Sequence, residues 1–170
     1  MRASHMEKTE FMALFGGVFE HSPWIASAVW DLGLTGRHDT ATGLHQPFGG
    51  VIRQLGREEK LALLRAHPEL AMAVVGDGKL TESSEREQRG AGLDCCNSEE
   101  FSEFQKLNDS YRKKFDFPFI MAVKGCKRHH ILESFRARLE NTGDEEFQTA
   151  VEQVIRIGQF RIDRIFEEYG

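Results

Sequence analysis

The chain has 170 residues, of which 40% are hydrophobic and 29% charged, the balance of a globular domain with one sizeable core. Lys and Arg number 22 against 27 Asp and Glu, a net charge of −5 spread without any basic stripe, which argues against nucleic acid as a partner. No apolar stretch approaches the ~20 residues that cross a bilayer, and the three cysteines, Cys95, Cys96 and Cys126, lack CxxC spacing, so a membrane protein, a disulfide framework and a zinc ribbon are all disfavoured.

The opening Ser4-His5-Met6 reads as the remnant of a cleaved expression tag, so residues 1–5 are set aside and residues 6–170 are expected to form one domain. Phe11, Leu14, Phe15, Val18 and Phe19 then recur at helical spacing and predict an amphipathic helix. Ser22-Pro23 offers a cap and a first-turn proline for a second helix, with Ile25, Ala28, Val29 and Leu32 on one face and Gly33 as the stop. Residues 33–50 are rich in glycine, contain Pro47 and show little periodicity, which predicts an irregular connection before a short helix at 49–55.

A helix from Arg57 to Ala66 is expected to end near His67, because Pro68 disfavours helical geometry in the residue before it. Gly76-Asp77-Gly78-Lys79 breaks the chain again, and a polar helix from about Thr81 to Ala91 follows. Asn97 and Glu100 have capping-box spacing ahead of Phe101, Phe104, Leu107, Tyr111 and Phe115. The run from Phe115 to Val123 is apolar, carries Pro118 and has no partner strand, so it predicts a buried extended segment. Ile131, Phe135 and Leu139 mark another helix, Asn141-Thr142-Gly143 a stop, and Phe147 to Phe166 a long last one. The expected architecture is all-α, a compact domain of seven or eight helices with one extended buried segment.

Four features exceed what packing needs. His67-Pro68-Glu69-Leu70 places an imidazole beside a fixed backbone at a helix end, although a surface histidine ending a helix has the same look. Ser84, Glu87 and Gln88 project a hydroxyl, a carboxylate and an amide from one helix face; the competing reading is a capping box, with Glu87 bonding the N–H of Ser84. The backbone from Phe119 to Val123 cannot satisfy its own polar groups if extended, so it must find side chains, water or a ligand. Arg161 lies on or beside the apolar face of the last helix, where it needs a carboxylate or an anionic ligand unless it snorkels to solvent; Gly158 beside it leaves room. The consecutive pair His129-His130 is a poor chelating arrangement and is expected at the surface.

Phe19-Glu20-x-Ser22-Pro23-Trp24, His67-Pro68-Glu69-Leu70, Ser84-x-x-Glu87-Gln88-x-x-Ala91-Gly92-Leu93 and Asn108-x-x-Tyr111-x-x-Lys114-Phe115-x-x-Pro118-Phe119-Ile120 occur in this order. Together they resemble the OHCU decarboxylases of purine degradation, which act on 2-oxo-4-hydroxy-4-carboxy-5-ureidoimidazoline, and the likeness spans residues 8–169. One departure is Gln46, where family members often carry an arginine before the proline.

The resemblance implies an all-helical homodimer, without metal or organic cofactor, that decarboxylates this small-molecule substrate to (S)-allantoin in urate degradation. It carries catalytic roles onto His67 and Glu87, and substrate contacts onto Pro68, Ser84, Gln88, Phe119, Ile120, Met121, Ala122, Val123 and Arg161. His67, Glu87, Gln88, Phe119 and Arg161 are accordingly expected at one concave site. The chain ends Glu168-Tyr169-Gly170 without a Ser-Lys-Leu-like address, so the cytoplasm is the expected location. The alternatives are a non-catalytic helical interaction module and a ureide hydrolase using the same site.

Overall fold

The computed structural model describes residues 1–71 and 81–170. Among these are eight α-helices, three 3-10 helices and no strand, in agreement with the all-α expectation. The expected chain break at residues 76–79 lies outside the described residues. Internal contacts group the chain into two units, Met1–Leu63 with Val154–Gly170, and Leu64–Gln153.

The first unit contains α1 (Lys8–Phe15), α2 (Pro23–Asp31), α3 (Ala41–Gln54), most of α4 (Arg57–Arg65) and the C-terminal part of α8 (Gly143–Tyr169). Its core is aromatic: Phe11 and Phe15 lie 4.8 Å apart between ring centroids, and Phe48 sits 6.4 Å from Phe11 and 6.0 Å from Phe19. The first helix is shorter than the Phe11–Phe19 periodicity predicts. It stops at Phe15 before Gly16-Gly17, and Val18 and Phe19 enter the core from the turn that follows. Leu32, expected on the buried face of α2, is 66% exposed, because the helix ends at Asp31 and only Ile25, Ala26 and Val29 turn inward.

The largest correction falls on residues 33–50. Residues 41–50 are helical and belong to the 14-residue α3, which runs through Pro47. Thr40 caps it by accepting from the Gly43 N–H at 3.1 Å. A proline inside a helix costs ~3 kcal/mol and each glycine ~1 kcal/mol, but Leu44, Phe48 and Ile52 recur every fourth residue and are fully buried, at ~1.5–3 kcal/mol each. Packing therefore offsets a poor local propensity. Gly43 is itself required, since a Cβ there would overlap the Arg37 carbonyl. Residues 1–5 also take part in the fold, contrary to their being set aside: Ala3 is buried, and the N–H and hydroxyl of Ser4 donate to the Asp39 carboxylate at 2.8 and 3.0 Å.

The second unit contains the end of α4, α5 (Glu82–Gly90), α6 (Ser98–Phe115), α7 (Arg128–Leu139) and the start of α8. Asn97 and Glu100 form both bonds of the expected capping box at the start of α6. The helix ends at Asp116, whose φ of 64° is one that Asp tolerates. Residues 117–123 follow without regular structure and are largely buried, as predicted. Tyr111 meets Phe119 and Phe135 edge-on at 5.4 and 5.7 Å, and Phe119 stacks on Phe135 at 3.8 Å. Thr142 opens α8, its hydroxyl accepting from the Glu145 N–H at 3.4 Å.

Candidate active site

Within the second unit, α4 ends two residues before His67, whose N–H still donates to the Leu64 carbonyl at 3.1 Å. His67, Pro68 and Glu69 are partly exposed, and the backbone just beyond them is tightly held. Gln88 Oε1 accepts from the Ala71 N–H at 2.9 Å while its Nε2 donates to the Glu69 carbonyl at 3.1 Å. Asn108 Nδ2 donates to the Leu70 carbonyl at 3.0 Å, and Arg112 pairs with the Glu69 carboxylate. Ala71 has φ 62°, a left-handed conformation that costs an L-residue ~1–2 kcal/mol, and the Gln88 contact offsets part of that cost.

These contacts join the C-terminal half of α5 to the His67-Pro68-Glu69-Leu70 stretch. Glu87 precedes Gln88 and is itself half-buried. The capping-box alternative for Ser84 and Glu87 does not hold, because Thr81 is the N-cap and its hydroxyl accepts from the Ser84 N–H at 3.3 Å. Ser84 is the third residue of the helix and 2% exposed.

Residues 119–123 are fastened by side chains at two backbone positions. Arg138 Nη1 donates to the Ile120 carbonyl at 2.7 Å, and the Ala122 N–H donates to Gln153 Oε1 at 2.9 Å. At the far end, the Val123 carbonyl accepts from the Cys126 N–H at 2.9 Å. Among the described residues, the N–H and C=O of Met121 and the N–H of Ile120 and Val123 make no hydrogen bond. Buried backbone groups seldom stay unpaired, so this segment retains the capacity to hold a polar ligand. The Phe119 side chain is core, stacked on Phe135 with the Arg138 guanidinium 4.4 Å from its ring centre.

Beneath the segment, Glu146 is fully buried and accepts from the Tyr111 hydroxyl, from Arg138 Nε at 2.8 Å and from Asn141 Nδ2 at 2.8 Å. Burial, followed by the bond to Glu146, pushes the Tyr111 phenol above its ordinary range, so it stays protonated and donates.

Arg161 lies in the first unit and is 3% exposed, which rules out the snorkelling alternative. The carboxylate it requires is Glu20, 3.0 Å from Nη2, and Nη1 donates to the Val18 carbonyl at 3.0 Å. The room attributed to Gly158 is filled by the Phe19 ring, with which a Cβ at 158 would overlap. His129 and His130 are exposed, as expected. An open hollow of about 460 Å³ lies at the end of α5, lined by residues 90–92, Glu100 and residues 126–129, and none of the predicted site residues lines it. Among the described residues, no group of three or more His, Cys, Asp or Glu side chains is arranged to hold a metal ion.

Asn108, Arg138, Gln153 and Glu146 were not among the predicted site residues. A signal existed for two of them: Asn108 lies on the Phe104, Tyr111 and Phe115 stripe, and Arg138 follows Phe135 by three positions, so each put a polar group on an apolar face.

The profile of the OHCU decarboxylase family matches residues 4–163. A 2-oxo-4-hydroxy-4-carboxy-5-ureidoimidazoline decarboxylase from Halalkalicoccus jeotgali is 35% identical over 94% of this chain and 86% of its own. The uric acid degradation bifunctional protein PucL of Bacillus subtilis is also 35% identical, over 98% of this chain and 32% of its own. Among solved structures, an (S)-allantoin synthase superposes with a TM-score of 0.74 at 26% identity, covering 96% of this chain and 52% of the other. With its four motifs in order, its all-helical fold and these matches over nearly its whole length, the chain belongs to the OHCU decarboxylase family of carboxy-lyases.

Proposed function

We propose that this protein decarboxylates 2-oxo-4-hydroxy-4-carboxy-5-ureidoimidazoline to (S)-allantoin and CO2 in urate degradation, without a cofactor. The observation that carries the reading is the Gln88 clamp, which fastens the helix of Glu87 to the backbone following His67. In the substrate, the carbon that bears the carboxylate also bears a hydroxyl and adjoins an imine carbon. When the C–C bond to the carboxylate breaks, the electron pair flows into the C=N bond. CO2 leaves, a proton is added at the former imine carbon, and the hydroxyl-bearing carbon becomes a carbonyl. The substrate thus supplies its own electron sink, and the protein's tasks are to orient the carboxylate, stabilise the delocalised intermediate and deliver the proton to one face.

In this proposal His67 is the general acid, because an imidazole titrates near neutral pH, and Glu87 orients it or polarises the substrate hydroxyl. Pro68 fixes the backbone beside His67. Ser84 and Gln88 contribute polar groups, and the backbone from Phe119 through Ile120, Met121 and Ala122 to Val123 holds ureido and ring carbonyl groups. Arg161 already pairs with Glu20 and is not needed for this reading. The proposal extends to a homodimer in the cytoplasm.

The test is His67→Asn. A folded variant is expected to lose ~100-fold or more in kcat, the scale of removing a general acid. Wild-type turnover by that variant contradicts the assignment.

A further inference from the structure

The chemistry proposed above leaves Arg138 and Gln153 without a role, yet these two side chains hold the extended segment. Where a chain is extended, the backbone groups of successive residues lie on opposite edges and those of alternate residues share one. The Ile120 carbonyl and the Ala122 N–H share one edge, and both are taken, by Arg138 at 2.7 Å and Gln153 at 2.9 Å. The Met121 N–H and carbonyl belong to the other edge and are unpaired among the described residues.

Arg138 is well suited to such fastening. Its guanidinium is flat, always charged and carries donors on three nitrogens, which allows it to bond Glu146 through Nε and Ile120 through Nη1 while lying 4.4 Å from the centre of the Phe119 ring. Glu146 is in turn fixed by Tyr111 and Asn141. The guanidinium therefore cannot follow the segment if the segment shifts, nor can the segment slide without breaking a charge-assisted bond.

We infer that Arg138 and Gln153 are positioning residues of the substrate site: by fastening one edge of residues 119–123 they hold the opposite edge, centred on Met121, in register to bond the polar ring and ureido groups of the substrate. The inference rests on the proposed decarboxylase reading. It requires that loosening the fastened edge weakens substrate binding more than the chemical step, because those bonds are present both before and during bond breaking.

The experiment compares steady-state decarboxylation by wild type, Arg138→Lys, Gln153→Leu, Gln153→Glu and Asn97→Ala, at a temperature where each is folded by circular dichroism. Arg138→Lys and Gln153→Leu are expected to raise KM about tenfold with kcat within about threefold, the scale of one lost hydrogen bond in binding. Gln153→Glu retains an acceptor for the Ala122 N–H and should bring KM back towards wild type. Asn97→Ala removes the cap of α6 without touching Arg138, Glu146 or the segment and should leave KM near wild type.

Wild-type KM in Arg138→Lys and Gln153→Leu, with only a lowered melting temperature, overturns the inference and leaves the decarboxylase reading intact. An equal rise in KM for Asn97→Ala also overturns it, since general loosening would then suffice. Should Arg138→Lys fail to fold, the contrast between Gln153→Leu and Gln153→Glu decides. A wild-type protein that releases no CO2 from the substrate refutes the functional reading and the inference with it.

Discussion

Glu146 shows how a single buried charge is made tolerable. Its carboxylate has no exposure to water, but Arg138, Tyr111 and Asn141 all donate to it. Removing one partner of a buried ion pair leaves the other uncompensated, so Glu146→Ala is expected to lower the unfolding free energy by ~3–5 kcal/mol in chemical denaturation. Tyr111→Phe removes one neutral donor to the carboxylate and keeps the ring, and should cost about 1.5–3 kcal/mol. Equal losses in the two variants would contradict this account of the cluster. At this scale the sequence was partly legible. The need of Arg161 for a carboxylate followed from its place on an apolar face, but its partner, Glu20, lies far away in the chain, and only the fold joins them. Arg138 posed the same problem from an equally informative position: its acceptors, Ile120 and Glu146, are 18 positions before it and 8 after it.

Among the elements, legibility followed the agreement between local chemistry and packing. The start of α6 was readable because Asn97 and Glu100 satisfy each other's neighbouring N–H groups without help from elsewhere. Asn97→Ala should therefore cost about 1 kcal/mol, visible as a melting temperature lower by roughly 2–4 °C, whereas an unchanged melting temperature would deny the cap its role. The opposite case is α3. Pro47, Gly49 and Gly50 are poor helix residues, and the stripe of Leu44, Phe48 and Ile52 that overrides them is three residues long. Residues 117–123 were legible as buried and outside any helix from Pro118 and the apolar run. What fastens them was not, since Arg138 and Gln153 belong to other helices.

At the scale of the whole molecule, stability should respond to pH through His38, which is 5% exposed. Burial, then the neighbouring Arg37 charge, lowers its pKa from the ordinary 6.5, so the folded state prefers the neutral ring. Below pH 6.5 the unfolded chain takes up a proton that the folded chain resists. This contribution is thus complete above that value and is lost as pH falls towards the lower folded-state pKa. Melting temperatures from pH 7.5 down to 5.5 should decline, and His38→Gln should flatten the decline; an identical slope in the variant would assign the effect elsewhere. Light scattering should give twice the chain mass if the proposed homodimer forms, and a single-chain mass would contradict it.

The proposed function requires that one site break the carbon–carbon bond and then protonate one face without a metal. The most direct measurement mixes freshly generated 2-oxo-4-hydroxy-4-carboxy-5-ureidoimidazoline with chelator-treated protein in deuterated water, following CO2 release, the optical activity of early product and its deuterium content. Accelerated CO2 release and (S)-allantoin labelled with deuterium at the carbon formed from the imine are expected. Loss of activity with chelator, or racemic early product despite accelerated CO2 release, would contradict the proposed function: the first requires a metal electrophile, and the second places protonation in bulk water after release.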